Sequence, residues 1–442
     1  MMGLNLKSFT NNFIGTFIRQ IGVGVIGLVS AVIIARVYGP VGNGVFALAI
    51  LVPTLLNTLL NLGVGPANVY FLGSNQVKPH EAIKVSIGIF IRLSILGLFL
   101  GISILYWKSD TLFPGVNQTL LYLGLPLFPV LLLNGYILSI FHGLQDFKTY
   151  NKFLIIQPLI FFIIVITLFI FDNKSLEFLV LAQLLTHIFT SILMMIRVNK
   201  LHKVPIEAGK DSEYYKKAIS YGWKSNLSNI LAFVNYKADI FLVNFFMNPL
   251  SAGIYVIAVT LGEKLWLISS AVCTVLLPRL SELSSDEEKR RVLTPLISRI
   301  VLAVTFSSAA LLALISQSFV EIMFGAEYLD SVLPLLTLLP GIVILAVAKV
   351  WANDLASRGR PEINTYISAI TLISNLLGNI LLIPIYGLLG AAMATTLSYF
   401  ICSVITLIVY MNITKNHYFD ILVLKISDIN LILSIFNKRK TK

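Results

Sequence analysis

The chain has 442 residues, 57% hydrophobic and only 12% charged, with a formal net charge of +12. A soluble domain carries about 25% charged residues, and here the apolar residues fall in runs of about 20, the length that crosses ~30 Å of hydrocarbon. A water-soluble fold is excluded. So is a disulfide framework, because Cys273 and Cys402 both lie inside apolar runs, and the five histidines show no metal-ligand spacing.

Twelve membrane helices are predicted. The first apolar run, 12–36, contains Arg19 and is followed by no convincing small-residue cleavage site, so it reads as a retained span rather than a signal peptide. The second, 42–72, follows Gly39-Pro40 and carries Asn57 and Asn61 one turn apart. Segments 82–107 (with Arg92), 118–143, 151–171 and 176–197 complete a first group of six. The seventh, 215–246, holds Asn226, Lys237 and Asn244 within about 20° of one line, with Asp239 nearby. The eighth, 250–278, places Glu263, Ser270 and Thr274 in a polar stripe with Lys264 beside it. Segments 291–316, 330–357 (with Lys349, Asn353 and Asp354), 363–385 and 387–412 follow. The remainder, Lys415 to Lys442, is amphipathic with a basic end (Lys438, Arg439, Lys440, Lys442), and is expected to lie along the membrane surface.

Lysine and arginine fix the expected orientation. The termini and even-numbered loops hold 24 of the 33 basic residues, while the opposite side holds only Arg36, Lys108 and Lys174. Both termini are therefore expected in the cytoplasm. The basic balance reports membrane orientation, not nucleic-acid binding.

The chain also repeats itself. Gly39-Pro40-Val41-Gly42-Asn43-Gly44-Val45-Phe46 runs in step with Asn248-Pro249-Leu250-Ser251-Ala252-Gly253-Ile254-Tyr255, and Gly143–Tyr150 answers Gly359–Tyr366. Six helices per repeat is an even number, so the second half enters from the same side as the first and the halves are parallel copies. The expected organisation is one six-helix lobe over 1–205, a second over 206–412, and a cytoplasmic tail over 413–442.

Four pieces in order resemble the multidrug/oligosaccharidyl-lipid/polysaccharide (MOP) exporter superfamily, in particular its polysaccharide branch, the O-antigen flippase type. They are the Gly39–Ala49 turn, Leu276-Leu277-Pro278-Arg279-Leu280-Ser281-Glu282, Phe324-Gly325-Ala326-Glu327-Tyr328, and Ile383-Pro384-Ile385-Tyr386-Gly387-Leu388-Leu389-Gly390-Ala391-Ala392. The resemblance implies an all-α MATE-like fold of two six-helix lobes around a V-shaped cavity. It also implies movement of undecaprenyl-diphosphate-linked oligosaccharide across the cell membrane for O-antigen, capsule or exopolysaccharide synthesis. A polysaccharide polymerase and chain-length machinery are partners consistent with that role.

Ionisable groups near the bilayer centre cost at least ~2.5–3.5 kcal/mol, so they persist where they face water, a partner or a substrate. Arg19, Arg92, Lys237, Lys264 and Lys349 are the cationic candidates, with Asn57, Asn61 and Asn226 beside them, for a central cavity that binds a diphosphate. Asp239, Glu263 and Asp354 are candidates for ion coupling, or else for pairing with neighbouring cations. A multidrug exporter of the same superfamily would carry an acid in its first helix. Segment 12–36 has Arg19 and no Asp or Glu, which favours an anionic cargo. A lipid II-type flippase usually adds two C-terminal helices. No nucleophile–base pair, metal motif or phosphate-cradling loop is present, so neither catalysis nor a cofactor is expected.

Overall fold

The computed structural model describes residues 6–202, 213–283, 286–425 and 428. Lys203 and Lys210 of the basic join, and the four basic residues at the C-terminal end, lie outside them. Among the described residues every regular element is helical: α1 (Leu6–Leu60), α2 (Val64–Gly73), α3 (Pro79–Leu112), α4 (Gln118–Gly124), α5 (Leu127–Gly143), α6 (Phe147–Ile170) and α7 (Leu176–His202). There follow α8 (Glu213–Phe246), α9 (Pro249–Lys264), α10 (Trp266–Glu282), α11 (Glu287–Met323), a 3₁₀ turn Ala326–Ser331, α12 (Val332–Ser357), α13 (Pro361–Thr414) and the short α14 (Tyr418–Leu422). Eight helices among the described residues are long and apolar enough to cross a membrane, or nine if α9 and α10 form one broken span. The chain is a multi-pass, all-helical membrane protein.

The helices break where local chemistry allows it. Gly39 (φ 64°) divides α1 just before Pro40, and Gly387 (φ 56°) divides α13 three residues after Pro384, both in a backbone region that suits glycine. Three further breaks interrupt segments expected to be continuous. Between α1 and α2 the chain turns through Leu62 and Gly63, both at positive φ, and the Asn61 side chain accepts a hydrogen bond from the Gly63 N–H at 2.8 Å. Pro126 separates α4 from α5. At Leu265, between α9 and α10, the N–H bonds back three residues to the Gly262 carbonyl at 3.1 Å and the axis bends by 41°. The Glu263–Ser270–Thr274 stripe is therefore cut after Glu263 rather than carried by one straight helix.

The chain divides into two compact units. One takes the residues up to Ile257 together with Glu321–Leu329; the other takes Ala258–Val320 and the residues from Asp330 onward. Inside the first unit the two copies of the repeated turn meet backbone to backbone. A Cβ built on Gly44 would lie 1.9 Å from the Pro249 carbonyl oxygen, and one on Gly253 would lie 1.9 Å from that of Pro40. Asn43 donates to the Gly253 carbonyl at 3.0 Å across the same contact. At the far end of the same helical arm, a Cβ on Gly63 would fall 2.0 Å from the Gly222 carbonyl oxygen. Arg36 donates to the carbonyls of Met323 (3.0 Å), Ile322 and Glu321 (3.4 Å), satisfying the open C-terminal end of α11, while Tyr328 donates to the Ala35 carbonyl at 3.2 Å.

In the second unit Trp351 is buried, stacks on Tyr410 and donates to Ser298 Oγ at 2.9 Å. The start of the C-terminal stretch folds back onto α11. Arg299 is buried and holds the Asp428 carboxylate through Nε (2.6 Å) and Nη2 (2.9 Å). Arg299 also donates to the Asp420 carbonyl, and Ile421 is fully buried.

Gly44→Ala and Gly253→Ala each drive a methyl into a carbonyl, and each is expected to destabilise the protein by about 1–3 kcal/mol, read as a lower melting temperature in detergent. Gly27→Ala, whose Cβ meets nothing within 4 Å, is the control expected to leave it unchanged. The hydrogen bond from Arg299 holds the Asp428 carboxyl below its ordinary value. A depressed carboxylate contributes docking energy in full above its unfolded pKa of about 3.9, and loses it as the pH falls through the lower folded value. Tail docking is therefore expected to be flat from about pH 8 to 5 and to fail only in stronger acid. Asp428→Asn should speed tryptic cleavage after the already exposed Lys425 at neutral pH, relative to the wild type.

Candidate functional site

Several cations in the membrane segments, or at their ends, meet one of two kinds of partner. The first kind is a carboxylate. Asp354, fully buried near the end of α12, accepts from Arg290 Nη2 (2.9 Å), Arg358 Nε (2.8 Å) and Thr294 Oγ1 (2.8 Å). Arg358 also reaches both oxygens of Glu287 at 2.9 Å. Arg299 with Asp428 is the second such lock. These groups neutralise one another, and the role their surroundings supply is structural. Asp354 was a coupling candidate by sequence; its neighbours Arg290 and Thr294 lie in another helix.

The second kind is an aromatic ring. In the first unit the Arg92 guanidinium on α3 lies 5.3 Å from the centroid of Tyr215, near the start of α8. In the second unit the Lys349 ammonium on α12 lies 3.6 Å from the centroid of the Trp266 ring, which opens α10. A ring face stabilises a cation by its quadrupole without cancelling its charge. Lys349 and Trp266 are built in from several sides. Trp266 donates to the Ile342 carbonyl at 3.4 Å and packs beside Tyr399. Asn353 donates to the Cys273 carbonyl at 3.1 Å, and Cys273 reaches the Lys349 carbonyl at 3.6 Å. Glu263 lies within electrostatic reach of Lys349, at the break that ends α9. The structure thus gathers Lys349, Asn353 and Glu263, with Lys264 next in the chain, around a bend in the helix.

The remaining candidates are placed as follows. Arg19 is half-buried, and its Nε has no hydrogen-bond partner among the described residues. Asn61 closes the α1–α2 turn, and its carbonyl accepts from Tyr136 at 2.7 Å. Asn226, buried on α8, donates to the Thr58 carbonyl at 3.5 Å. Asn57 lies half-buried one turn before Asn61. Asp239 is buried; it accepts from Tyr255 at 3.0 Å and from the Ile240 N–H at 2.8 Å. Lys237 and Lys264 are both half-buried and engaged with neighbours.

A reading by residue type missed two groups. His187 is buried in the first unit, with Asn134 at its Nδ1 (3.2 Å) and Gln157 and Gln183 at its Nε2 (2.9 and 3.3 Å). Its partners come from α5, α6 and its own helix, and no linear spacing announces them. Trp266 was also passed over. Its position two residues after Lys264 was the available signal.

Several likenesses fall on this framework. A solved structure described as the lipid II flippase MurJ in an inward closed conformation superposes with a TM-score of 0.74 at 16% identity, covering 97% of this chain and 93% of that one. An outward-facing multidrug resistance MATE family transporter of the MOP superfamily superposes at 0.64 with 15% identity, covering 91% and 95%. These likenesses define the class, a polytopic helical membrane protein with the MOP fold. A model of the polysaccharide biosynthesis protein family matches residues 33–333, and the chain belongs to that family. A protein of Haloferax volcanii named a probable low-salt glycan biosynthesis flippase, Agl15, is 24% identical over 188 residues, 42% of this chain and 40% of that protein. The match thus spans about two fifths of that relative's length.

Breaking the Asp354 lock leaves a buried guanidinium uncompensated, so Asp354→Asn is expected to cost about 3–5 kcal/mol of stability. Thr294→Val removes one hydroxyl donor to that carboxylate and should cost about 1.5–3 kcal/mol. Thermal unfolding of the purified protein measures both.

Proposed function

We propose that the protein is a flippase for polyprenyl-diphosphate-linked oligosaccharide in the cell membrane, serving surface-polysaccharide synthesis by alternating access. The observation that carries this reading is the pair of cations seated on rings, Arg92 over Tyr215 and Lys349 over Trp266, one in each unit. A ring face stabilises each cation through its quadrupole, without a proton or a covalent partner. Arginine offers a diphosphate a planar fork of donors, and lysine a point charge. Membership of the polysaccharide biosynthesis family supports the cargo class. A relative named a probable glycan biosynthesis flippase supports it too.

In this reading Arg19, Arg92, Lys237, Lys264 and Lys349 meet the diphosphate along its route, with Asn57, Asn61 and Asn226 beside them. Glu263, at the helix break beside Lys349, is the acid best placed to couple a proton or cation. Asp239 is a second, and Asp354 keeps its structural lock. The chain crosses the membrane twelve times when α1 and α13 are divided at their glycines and α8 and the bent α9–α10 pair are counted as spans. Both termini then lie in the cytoplasm with the basic loops. The contacts Gly44–Gly253 and Gly63–Gly222 are the places that part and re-form during transport. The protein moves its cargo without altering it chemically.

The test is export of surface glycan in cells lacking their own flippase. Arg92→Ala and Lys349→Ala are each expected to lower export at least about tenfold, at unchanged membrane levels of the protein; a tenfold loss corresponds to about 1.4 kcal/mol. Full export from the double variant would sink the reading. Resistance to cationic dyes without any glycan phenotype would replace it with a drug exporter.

A further inference from the structure

On α2 and on α8, the helix whose Tyr215 lies under Arg92, stands a group of rings that the proposed transport route leaves unassigned. Tyr70 on α2 and Tyr221 on α8 stack with centroids 4.7 Å apart and an interplanar angle of 15°. Phe71 stands edge-on to Tyr70, Tyr214 and Tyr221 at 5.0–5.6 Å. The group is anchored from below. The buried Asn68 accepts from the Tyr214 hydroxyl at 2.7 Å and donates to Ser86 (3.0 Å) and Ser139 (2.9 Å). Tyr70 and Tyr221 nonetheless remain 46% and 37% exposed. Tyr215, one residue on from Tyr214, carries Arg92, which has no carboxylate partner among the described residues.

We propose that Tyr70 and Tyr221 form a stacking platform for a sugar ring of the lipid-linked cargo, with Arg92 on Tyr215 taking the diphosphate next to it. This assignment rests on the flippase reading and names the sugar-binding part of the same route. A pyranose presents an apolar C–H face that packs on an aromatic ring, and the adjoining phosphates require a donor fork. Tyr70 and Tyr221 supply the first, and Arg92 over Tyr215, on the same helix as Tyr221, supplies the second. Aromatic residues that merely anchor a helix at the membrane interface need only an apolar body and a wet tip. They do not need a four-ring assembly fixed to a buried asparagine.

The position of the pair also gives it a trigger. Tyr221 adjoins Gly222, whose backbone meets Gly63 just before α2, so the two rings sit on either side of that contact. When the contact parts, the Tyr70–Tyr221 stack must part with it, and a sugar ring takes the place of the lost partner.

The experiment uses the full chain in lipid nanodiscs. Binding is measured for two probes, the lipid-linked oligosaccharide extracted from cells that make it, and undecaprenyl diphosphate without sugar. Tyr70→Ala with Tyr221→Ala is expected to weaken the glycosylated probe about tenfold and leave the bare diphosphate unchanged, whereas Arg92→Ala weakens both. Tyr70→Phe with Tyr221→Phe keeps the rings and should retain wild-type binding. Equal weakening of both probes by the alanine pair, or no weakening of either, overturns the platform and leaves the rings as interface anchors. If the wild type binds neither probe better than a neutral lipid, the flippase reading itself falls, and the platform with it.

Discussion

Two helices approach until backbone touches backbone only where no side chain stands between them. The first unit is built on that constraint. Gly44 and Gly253 occupy matching places in the duplicated turns, and each faces the carbonyl of the other copy's proline, so the repeat makes a reciprocal contact within one unit. Gly63 and Gly222 make a second such contact at the other end of the arm. With no water in hydrocarbon to satisfy broken backbone groups, a membrane chain must locate its breaks with care. Here they fall at Gly39, Gly63 and Gly387, at Pro126, and at the short 3₁₀-like closure of Leu265.

The same scarcity of water sorts the charges. A cation inside the membrane needs a counter-charge or a polarisable face. Arg290, Arg299 and Arg358 meet carboxylates, Arg92 meets a ring, and Lys349 meets a ring with Glu263 within electrostatic reach.

Much of this was open to a reader of the sequence. The apolar runs and low charge identify a polytopic helical membrane protein. The order of the Gly39–Ala49, Leu276–Glu282, Phe324–Tyr328 and Ile383–Ala392 pieces points to the MOP fold that the superpositions show. The breaks at Asn61–Gly63 and Leu265 were not legible. Neither contains a proline, and each is maintained by a local hydrogen bond that competes with the helical one. The fold-back of Asp428 onto Arg299 was hidden for a similar reason, since amphipathicity reports that one face is apolar but not what that face rests on.

The sequence by itself determined the class of fold, the duplication and the roster of intramembrane charges, because helical periodicity and hydrophobic length are properties of a segment read alone. Only the tertiary structure decided which cation meets a ring and which a carboxylate. Trp266 reaches Lys349, and Arg290 reaches Asp354, from helices distant in the chain. Periodicity tells which way a side chain points along its own helix. The neighbour waiting there is chosen by how separate helices pack, and that choice sets the chemistry of the site.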